Sequence, residues 1–272
     1  MANFGIGEIY GYPVSDFSQQ AQDCRSDQRC PFIDNTCNKT GGVCCITDGT
    51  SYPIVCPRRF QQDNVLYREV AIKAFGTTDG CAAIGEVNFL ESVKEADSSA
   101  PGKIDNIIVR LGEDDEILDW CALEVQAVYF SGMSMRQEIN QVLQNRTVPT
   151  PASRRPDFRS SGPKRLLPQL EIKVPTLRRW GKKMFVAIDD AFFSWLPEME
   201  SANDLSNADI CWMGFGLERS SSPYRLILKK VVATTLEESR ISLVAGSAPP
   251  IKEFESAIAS KMAKGVVWSS SD

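Results

Sequence analysis

The fold is decided at residues 104–129, which read IDNIIVRL, then GEDDE, then ILDWCALEVQAVY. Runs of β-branched residues on both sides of a Gly/Asp-rich break predict a strand, a turn and a second strand. Successive side chains of a strand point to opposite faces, so Glu124 and Gln126 are expected on the same face.

Asp105 and Glu124 are candidate metal ligands. With the turn centred between Asp114 and Asp115, antiparallel pairing sets Asp105 opposite Glu124. Two carboxylates on neighbouring strands, both flanked by apolar residues, repel each other and titrate abnormally unless something positive lies between them. A hard divalent cation prefers oxygen ligands and is therefore the ion expected to bind between them.

Length and composition are those of an ordinary globular protein. The chain has 272 residues, of which 43% are apolar and 24% are charged, enough for one large domain or a core plus a small module. No apolar stretch approaches the roughly 20 residues of a membrane helix, and residues 1–10 carry no signal-peptide pattern. We therefore expect a cytoplasmic protein without a membrane partner.

The chain contains no histidine. This excludes Ser-His and Cys-His nucleophile pairs and every metal site that needs an imidazole. Any catalysis has to use carboxylates, Lys, Tyr, Cys or a bound metal ion.

Charge is unevenly distributed along the chain. Residues 86–119 hold ten acids and three bases, whereas residues 136–183 hold twelve bases and three acids, although the net charge is −5. An acidic pocket beside a basic stretch suits an enzyme that binds metal ions and a polyanion, and two solvated faces are the alternative.

Cysteines are concentrated near the N-terminus, where six of the nine lie between residues 24 and 56. An odd total without an export signal disfavours a disulfide framework. A thiolate metal site that stabilises a loop-rich segment is one interpretation, and free buried thiols are the other.

The cysteine contexts carry a family resemblance. They read CPF at residues 30–32, TC at 36–37, GVC at 42–44 and VCPRR at 55–59. This order resembles the CPF, SC, GVC and VCPNR elements of the NotI-type restriction endonucleases, whose four cysteines hold a single metal ion, iron. The resemblance implies that a structural iron or zinc ion is bound by Cys30, Cys37, Cys44 and Cys56. Tetrahedral thiolates suit either metal.

The resemblance continues through the predicted hairpin. DSS at residues 97–99 with Asp105, LEVQ at 123–126 and FSG at 130–132 are similar to the family's DSS…FD, LEIQ and FHG. They form the variant PD-(D/E)xK nuclease signature with Gln126 where most relatives have lysine. The implied catalytic residues are Asp105, Glu124 and Gln126, with a further upstream acid at Glu91 or, as the alternative, Glu86.

Together these features predict an α/β fold. Strands that alternate with helices indicate a mixed β-sheet flanked by helices. The resemblance implies a PD-(D/E)xK restriction-endonuclease-like core at residues 66–272 and a small N-terminal metal-binding module at residues 1–65. It also implies Mg²⁺-dependent, type II-like cleavage of double-stranded DNA at a specific sequence, by a homodimer in which Asp105 and Glu124 hold Mg²⁺. The alternatives are a non-catalytic, metal-stabilised DNA-binding module and an enzyme acting on smaller phosphate esters.

The basic stretch is a candidate DNA-binding surface. Residues 146–168 are rich in Pro, Ser and Arg and read as a disordered linker or an arm that orders on a polyanion. Pro175 predicts a helix over residues 176–183 with one basic face. The residues expected to contact DNA are Arg154, Arg155, Lys164, Arg178, Arg179, Lys182 and Lys183, with base contacts left open for the first two.

The C-terminal part of the chain contains further predicted elements. Residues 184–188 and 224–233 read as strands, and residues 250–264 read as an amphipathic helix. The apolar stripe of that helix is expected to pack in the core or in a dimer and consists of Ile251, Phe254, Ile258 and Met262.

Overall fold

The computed structural model describes residues 3–89, 102–244, 246, 249–262 and 265. The α-helices in these ranges are α1 (Gln19–Ser26), α2 (Val65–Phe75), α3 (Arg136–Asn145), α4 (Phe158–Ser161), α5 (Leu167–Arg179), α6 (Asp190–Trp195), α7 (Leu236–Val244) and α8 (Ile251–Ala259). Short 3₁₀ segments occupy Pro57–Asn64 and Leu205–Asn207, and a π-helical turn occupies Gly162–Leu166.

The strands in these ranges are β1 (Gly5–Ile9), β2 (Tyr12–Pro13), β3 (Arg29–Cys30), β4 (Asn35–Thr36), β5 (Val43–Thr47), β6 (Cys81–Asn88), β7 (Lys103–Leu111), β8 (Ile117–Gln126), β9 (Phe130–Gly132), β10 (Arg154–Pro156), β11 (Met184–Asp189), β12 (Ile210–Glu218) and β13 (Arg225–Thr234). The main sheet has six strands in the order β13-β12-β11-β8-β7-β6. It is mixed, because β8, β11 and β12 run parallel to one another whereas β6, β7 and β13 pair antiparallel to their neighbours. The predicted mixed sheet of an α/β fold is confirmed.

The predicted hairpin at residues 104–129 is formed by β7 and β8. Asn106 pairs with Leu123 in an antiparallel register, which places the preceding Asp105 level with Glu124. The turn uses Asp115 at a φ of 56°, a left-handed conformation that Asp tolerates better than most residues. The strand, turn and register predicted from the sequence are therefore confirmed.

Alternating side chains of the central strand β11 face two different cores. Met184, Val186 and Ile188 pack on the side covered by α5, whereas Phe185 and Ala187 pack on the side covered by α2. Burial on both faces explains why β11 reads as an almost continuous apolar run.

The N-terminal segment is packed against the main sheet. The small sheet β2-β1-β5 contributes Ile6 and Ile9 to the same core as Val186 of β11. Arg59 forms two hydrogen bonds to Glu8, at 2.8 and 3.1 Å, and both side chains are 0% exposed. The same guanidinium also donates to the backbone oxygen of Tyr224 at 2.7 Å. A buried, doubly bonded ion pair thus ties the cysteine-bearing segment to the edge of the main sheet.

Helix α5 begins nine residues earlier than the sequence predicts, at Leu167 instead of residue 176. Pro175 lies inside this helix, on its exposed side with Glu171, so the carbonyl that loses a partner faces water. Burial of Leu170 and Val174 against the sheet outweighs the helix-breaking preference of proline. Residues 176–179 are helical as predicted, but both predicted bounds are wrong, because α5 begins at Leu167, ends at Arg179 and is followed by a turn.

Residues 146–168 are also more structured than predicted, since they contain β10 and α4. Further along, the predicted strands at 184–188 and 224–233 are confirmed by β11 and β13. Helix α8 is present, but the core packing proposed for its stripe is wrong. Ile251 is 72% exposed and Phe254 57% exposed, so the part of the chain that the structure describes does not cover this face.

Candidate active site

Asp105 and Glu124 meet across the β7–β8 pair. The backbone N–H of Asp105 donates to Glu124 Oε1 at 3.4 Å, and the backbone N–H of Val125 donates to Asp105 Oδ2 at 3.1 Å. Each carboxylate is therefore fixed by the neighbouring strand through one oxygen. Among the described residues, no donor reaches the other oxygen of either group, Asp105 Oδ1 or Glu124 Oε2.

Glu124 lies in an environment that disfavours its charged form. The side chain is 2% exposed, and burial raises its pKa from 4.5 to about 7. The negative charge of Asp105 contributes to this increase, and Lys173 opposes it. Lys173, on helix α5, donates from Nζ to Glu124 Oε1 at 2.5 Å and to Gln169 Oε1 at 3.0 Å. The acidic pair therefore has one buried cation in direct contact.

Gln126 follows Glu124 on the same face of β8, at the end of that strand. Its Nε2 donates to the backbone oxygen of Ala127 at 2.7 Å, which fixes the amide. The side chain lines a cavity of about 680 Å³ together with Gln169 and Arg165 of the α5 side. A neutral amide at this position can orient a hydroxyl or water, but it cannot carry charge.

A second cavity, of about 700 Å³, is lined by Asp105 together with Lys39 and Arg58. Both cations come from the cysteine-bearing segment, and Lys39 lines the cavity beside Gln126 as well. Positive side chains at the rim of an acidic cleft provide the charge pattern that binds a phosphodiester. Lys39, Arg58 and Lys173 were not predicted from the sequence as site residues, although Arg58 lies inside the VCPRR element.

The two candidates for the upstream acid have different outcomes. Glu91 lies outside the described residues. Glu86 is on β6 and lines the same cavity as Asp105, where its exposed side chain forms an ion pair with Lys103 at 3.2 Å. Its φ of 44° is a left-handed conformation that non-glycine residues rarely adopt and that often marks functional positions.

A comparison with protein-family models matches the chain, over residues 15–226, to restriction endonuclease NotI. The chain belongs to the NotI restriction endonuclease family. The match covers most of the chain and includes both the cysteine segment and the hairpin that carries the two carboxylates. Members of this family are restriction endonucleases, which cut DNA at a specific site, so this chain is a DNA nuclease. Among curated proteins, the comparison found no match.

Arg154 occupies an interior position in this member of the NotI family. It is 2% exposed, and its guanidinium pairs with Glu138 and donates to the backbone oxygens of Phe4, Met133 and Ser134. The predicted contact of Arg154 with DNA does not fit this position, because its hydrogen-bonding capacity is already used inside the protein. Arg154 instead ties β10 to helix α3 and to the N-terminal strand segment.

The other predicted DNA contacts lie at the surface or partly buried near it. Arg155, Lys164 and Arg179 are exposed. Arg178 is bound to Asp209 and Glu237, and Lys182 is bound to Asp119. Lys183 donates to the backbone oxygens of Ser206 and Ala208, which are residues of the loop before β12. Within the described ranges, the predicted basic residues thus fall into those without a carboxylate partner and those already bound to protein oxygens.

Each of the four predicted metal-binding cysteines lies within electrostatic reach of at least one of the others. Electrostatic interaction links Cys30 with Cys37 and Cys56, and it links Cys44 with Cys56. Burial raises the pKa of both Cys30 and Cys44. Backbone N–H groups of Phe32 and Ile33 point to Cys30, and that of Gly11 points to Cys44. Within the described ranges, however, no three Cys, Asp or Glu side chains are arranged to hold a metal ion as they stand.

None of the helices in the described part of the chain is both long and apolar enough to cross a bilayer.

Proposed function

We propose that this chain is a Mg²⁺-dependent endonuclease that cleaves double-stranded DNA at a specific sequence, with Asp105 and Glu124 as the metal ligands. The observation that carries the proposal is the meeting of these two carboxylates, of which Asp105 lines a cleft together with Lys39 and Arg58. An acidic pair alone repels DNA, but an acidic pair with a bound cation and a basic rim attracts it.

The donor set fits magnesium. Mg²⁺ prefers hard oxygen ligands and is commonly bound by one or two carboxylates together with substrate phosphate and water. One oxygen of each carboxylate, Asp105 Oδ1 and Glu124 Oε2, has no donor among the described residues and is free to coordinate. Bound there, Mg²⁺ would polarise the scissile phosphate and offset the negative charge that develops during hydrolysis.

The protein side chains then position the reactants. In the hydrolysis, the oxygen of water forms a bond to phosphorus and the water releases a proton to solvent. The bond from phosphorus to the 3′-oxygen breaks, and the 3′-oxygen accepts a proton from solvent. The products are a 5′-phosphate and a 3′-hydroxyl. Gln126 lies beside Glu124 and would orient the attacking water through its amide oxygen, because its Nε2 is already bound to Ala127. Alignment of this kind can account for a large part of the rate.

DNA binding is assigned to two groups of cations. Lys39 and Arg58 would hold the phosphates beside the scissile bond, and the exposed Arg155, Lys164 and Arg179 would hold phosphates farther away. Phosphate contacts position the protein on the duplex without reading sequence. Arg178, Lys182 and Lys183 join this second group when phosphate replaces their present surface partners.

We also propose a structural metal ion, iron or zinc, bound by the four cysteines of the N-terminal module. Backbone N–H groups directed at Cys30 and Cys44 favour the thiolate form that a metal needs. The thiols of Cys37 and Cys44 instead donate to the backbone oxygens of Lys39 and Gly42. Rotation away from those carbonyls would let them join the other two sulfurs. The ion would thereby also fix Lys39, two residues beyond Cys37.

A homodimer is the proposed assembly. A symmetric dimer presents two active sites to the two strands of a palindromic site. The exposed apolar stripe of α8 supports the formation of an assembly, because monomers rarely leave such a contiguous apolar face in water.

The proposal is tested by incubation of the purified protein with long DNA and Mg²⁺, followed by sequencing of the ends. We expect discrete fragments with 5′-phosphate ends. Asp105→Asn should slow cleavage by about 1,000-fold or more, since loss of a ligand removes several kcal/mol of transition-state stabilisation. Glu113→Gln is the matched control, because it also removes one negative charge but lies at the exposed hairpin turn.

Other outcomes would contradict parts of this proposal. A smear of fragments would refute sequence specificity. DNA that is bound but intact under all Mg²⁺ concentrations would refute catalysis and favour a DNA-binding module. Cleavage by Asp105→Asn at the rate of Glu113→Gln would show that the metal site is elsewhere.

A further inference from the structure

Lys173 is an unusual lysine because its ammonium group is enclosed. The residue is 2% exposed and lies on the face of α5 that also buries Leu170, Val174 and Leu177. Lysine is rarely found fully buried, because removal of its charge from water is costly unless a counter-charge compensates. Here the counter-charge is Glu124, one of the two carboxylates of the proposed catalytic site.

The ammonium is held in a defined place from both sides. Its two partners are Glu124 Oε1 at 2.5 Å and Gln169 Oε1 at 3.0 Å, and Gln169 stands one helical turn before Lys173. The bond to Oε1 leaves Oε2 of the same carboxylate without a donor among the described residues. Lys173 and the backbone N–H of Asp105 therefore both bind Oε1, which leaves Oε2 as the oxygen available to a metal ion.

Gln126 cannot take this role, although it is closer in sequence. It shares a face of β8 with Glu124, but an amide is neutral at every working pH. The rim cations Lys39 and Arg58 are not hydrogen-bonded to either carboxylate, since Lys39 donates to the backbone of Val55 and Arg58 to Gln61. Among the described residues, Lys173 is the cation that contacts the acidic pair.

We propose that Lys173 is a positioning residue of the active site, which fixes Glu124 and supplies the positive charge that Gln126 cannot supply. This inference rests on the proposed nuclease function. Lys173 acts through Glu124 and takes no proton from the substrate. Its contribution is a carboxylate that is already oriented when DNA and the cation enter.

The first test is Lys173→Met in the full-length protein, which keeps the length of the side chain and removes the charge. We expect single-turnover cleavage in Mg²⁺ to fall by about 100-fold, the usual effect of a misplaced catalytic group. DNA affinity, measured by fluorescence anisotropy with Ca²⁺ in place of Mg²⁺, should stay within about threefold, because the lost interaction acts on the chemical step. Lys73→Met is the matched control, because Lys73 is an exposed residue of α2, and it should leave both quantities unchanged.

The second test moves the charge to the neighbouring position. In the variant Lys173→Met/Gln126→Lys, a lysine two residues from Glu124 on the same face can reach that carboxylate. We expect this variant to cleave at least about tenfold faster than Lys173→Met/Gln126→Met, which also lacks the water-orienting amide, a difference of about 1.4 kcal/mol in the barrier. A purely structural role of Lys173 would not predict recovery from a charge placed elsewhere.

The outcomes separate the inference from the proposed function. Wild-type protein that cleaves no DNA would overturn the function itself. Active wild-type protein with Lys173→Met cleaving within about threefold of it would overturn only the role of Lys173. The inference also fails if the transfer variant folds, as judged by its melting temperature, and cleaves no faster than Lys173→Met/Gln126→Met. Failure of Lys173→Met itself to fold would show that position 173 requires lysine for packing, which overturns the charge-based role.

Discussion

The protein without divalent cations should lose stability as the pH rises towards neutrality, because of Glu124. Burial raises the pKa of this carboxyl from 4.5 to about 7 in the folded protein. The folded state therefore keeps a proton that the unfolded chain has already released. Stability from this group is fully present below about pH 4.5, falls up to about pH 7 and is constant above that value. The difference of about 2.5 between the two pKa values corresponds to about 3 kcal/mol at 1.36 kcal/mol for each pH unit.

Glu124→Gln isolates this contribution. Urea unfolding of the wild type and the variant between pH 5 and pH 8.5, without divalent cations, should show that the variant lacks the decrease of about 3 kcal/mol. Asp189→Asn is the control, since burial also raises the pKa of Asp189 to about 7 but this residue caps α6. The variant Asp189→Asn should keep the pH-dependent decrease in stability that comes from Glu124 and lose the decrease that comes from Asp189.

A divalent cation should reverse the effect at high pH. Mg²⁺ that binds the ionised Glu124 stabilises the folded state by about 2.7 kcal/mol at 100 times its dissociation constant. The gain should be seen in the wild type at pH 8 and should be much smaller in Glu124→Gln. Parallel curves for wild type and variant over the whole pH range would refute the reasoning, because Glu124 would then titrate in the folded protein as it does in the unfolded chain.

Three further predictions concern the N-terminal segment. Arg59→Met should lower the free energy of unfolding, measured in urea, by about 3–5 kcal/mol, because Glu8 would stay buried without a counter-charge. Recovery of stability in Glu8→Gln/Arg59→Met would confirm that cause, and a loss below about 1 kcal/mol in Arg59→Met would contradict it. Lys39→Gln and Arg58→Gln should each reduce the slope of log affinity against log salt concentration by about one, and an unchanged slope would remove that residue from the DNA interface. Cys56→Ser should lower the content of bound iron or zinc measured by elemental analysis and destabilise this segment; equal metal content in wild type and variant would exclude Cys56 as a ligand.

The hairpin of the candidate site was predictable because its determinants are local. Asp105 and Glu124 are 19 residues apart and are joined by one turn, so strand alternation and the position of the turn fix their register. Nothing in this inference requires knowledge of another part of the fold. The same is true of β11, whose apolar run is long enough to indicate a buried strand on its own.

Lys173 was not predictable because its partner is distant along the chain. It lies 49 residues from Glu124, and the two are brought together only when α5 packs on the sheet. The sequence pattern also predicts too late a start for the helix, after Pro175, whereas this proline lies well inside α5. A helix that starts at residue 176 excludes Gln169 and Lys173. Their spacing of four residues then does not indicate that the two side chains are neighbours on one helix face.

A run of basic residues is evidence for a polyanion only after the internal partners of those residues are subtracted. Four bases of the stretch 136–183 already bind carboxylates, as the pairs Arg154–Glu138, Lys173–Glu124, Arg178–Asp209 and Lys182–Asp119. The first two pairs are buried, and their bases cannot reach a phosphate while the protein is folded. The last two are partly exposed, and such pairs contribute only about 0–1 kcal/mol, so phosphate can replace the carboxylate at little cost. This stretch therefore offers fewer cations to DNA than its sequence suggests. Two further cations, Lys39 and Arg58, line the cleft and come from the N-terminal segment, which the charge pattern does not mark as basic.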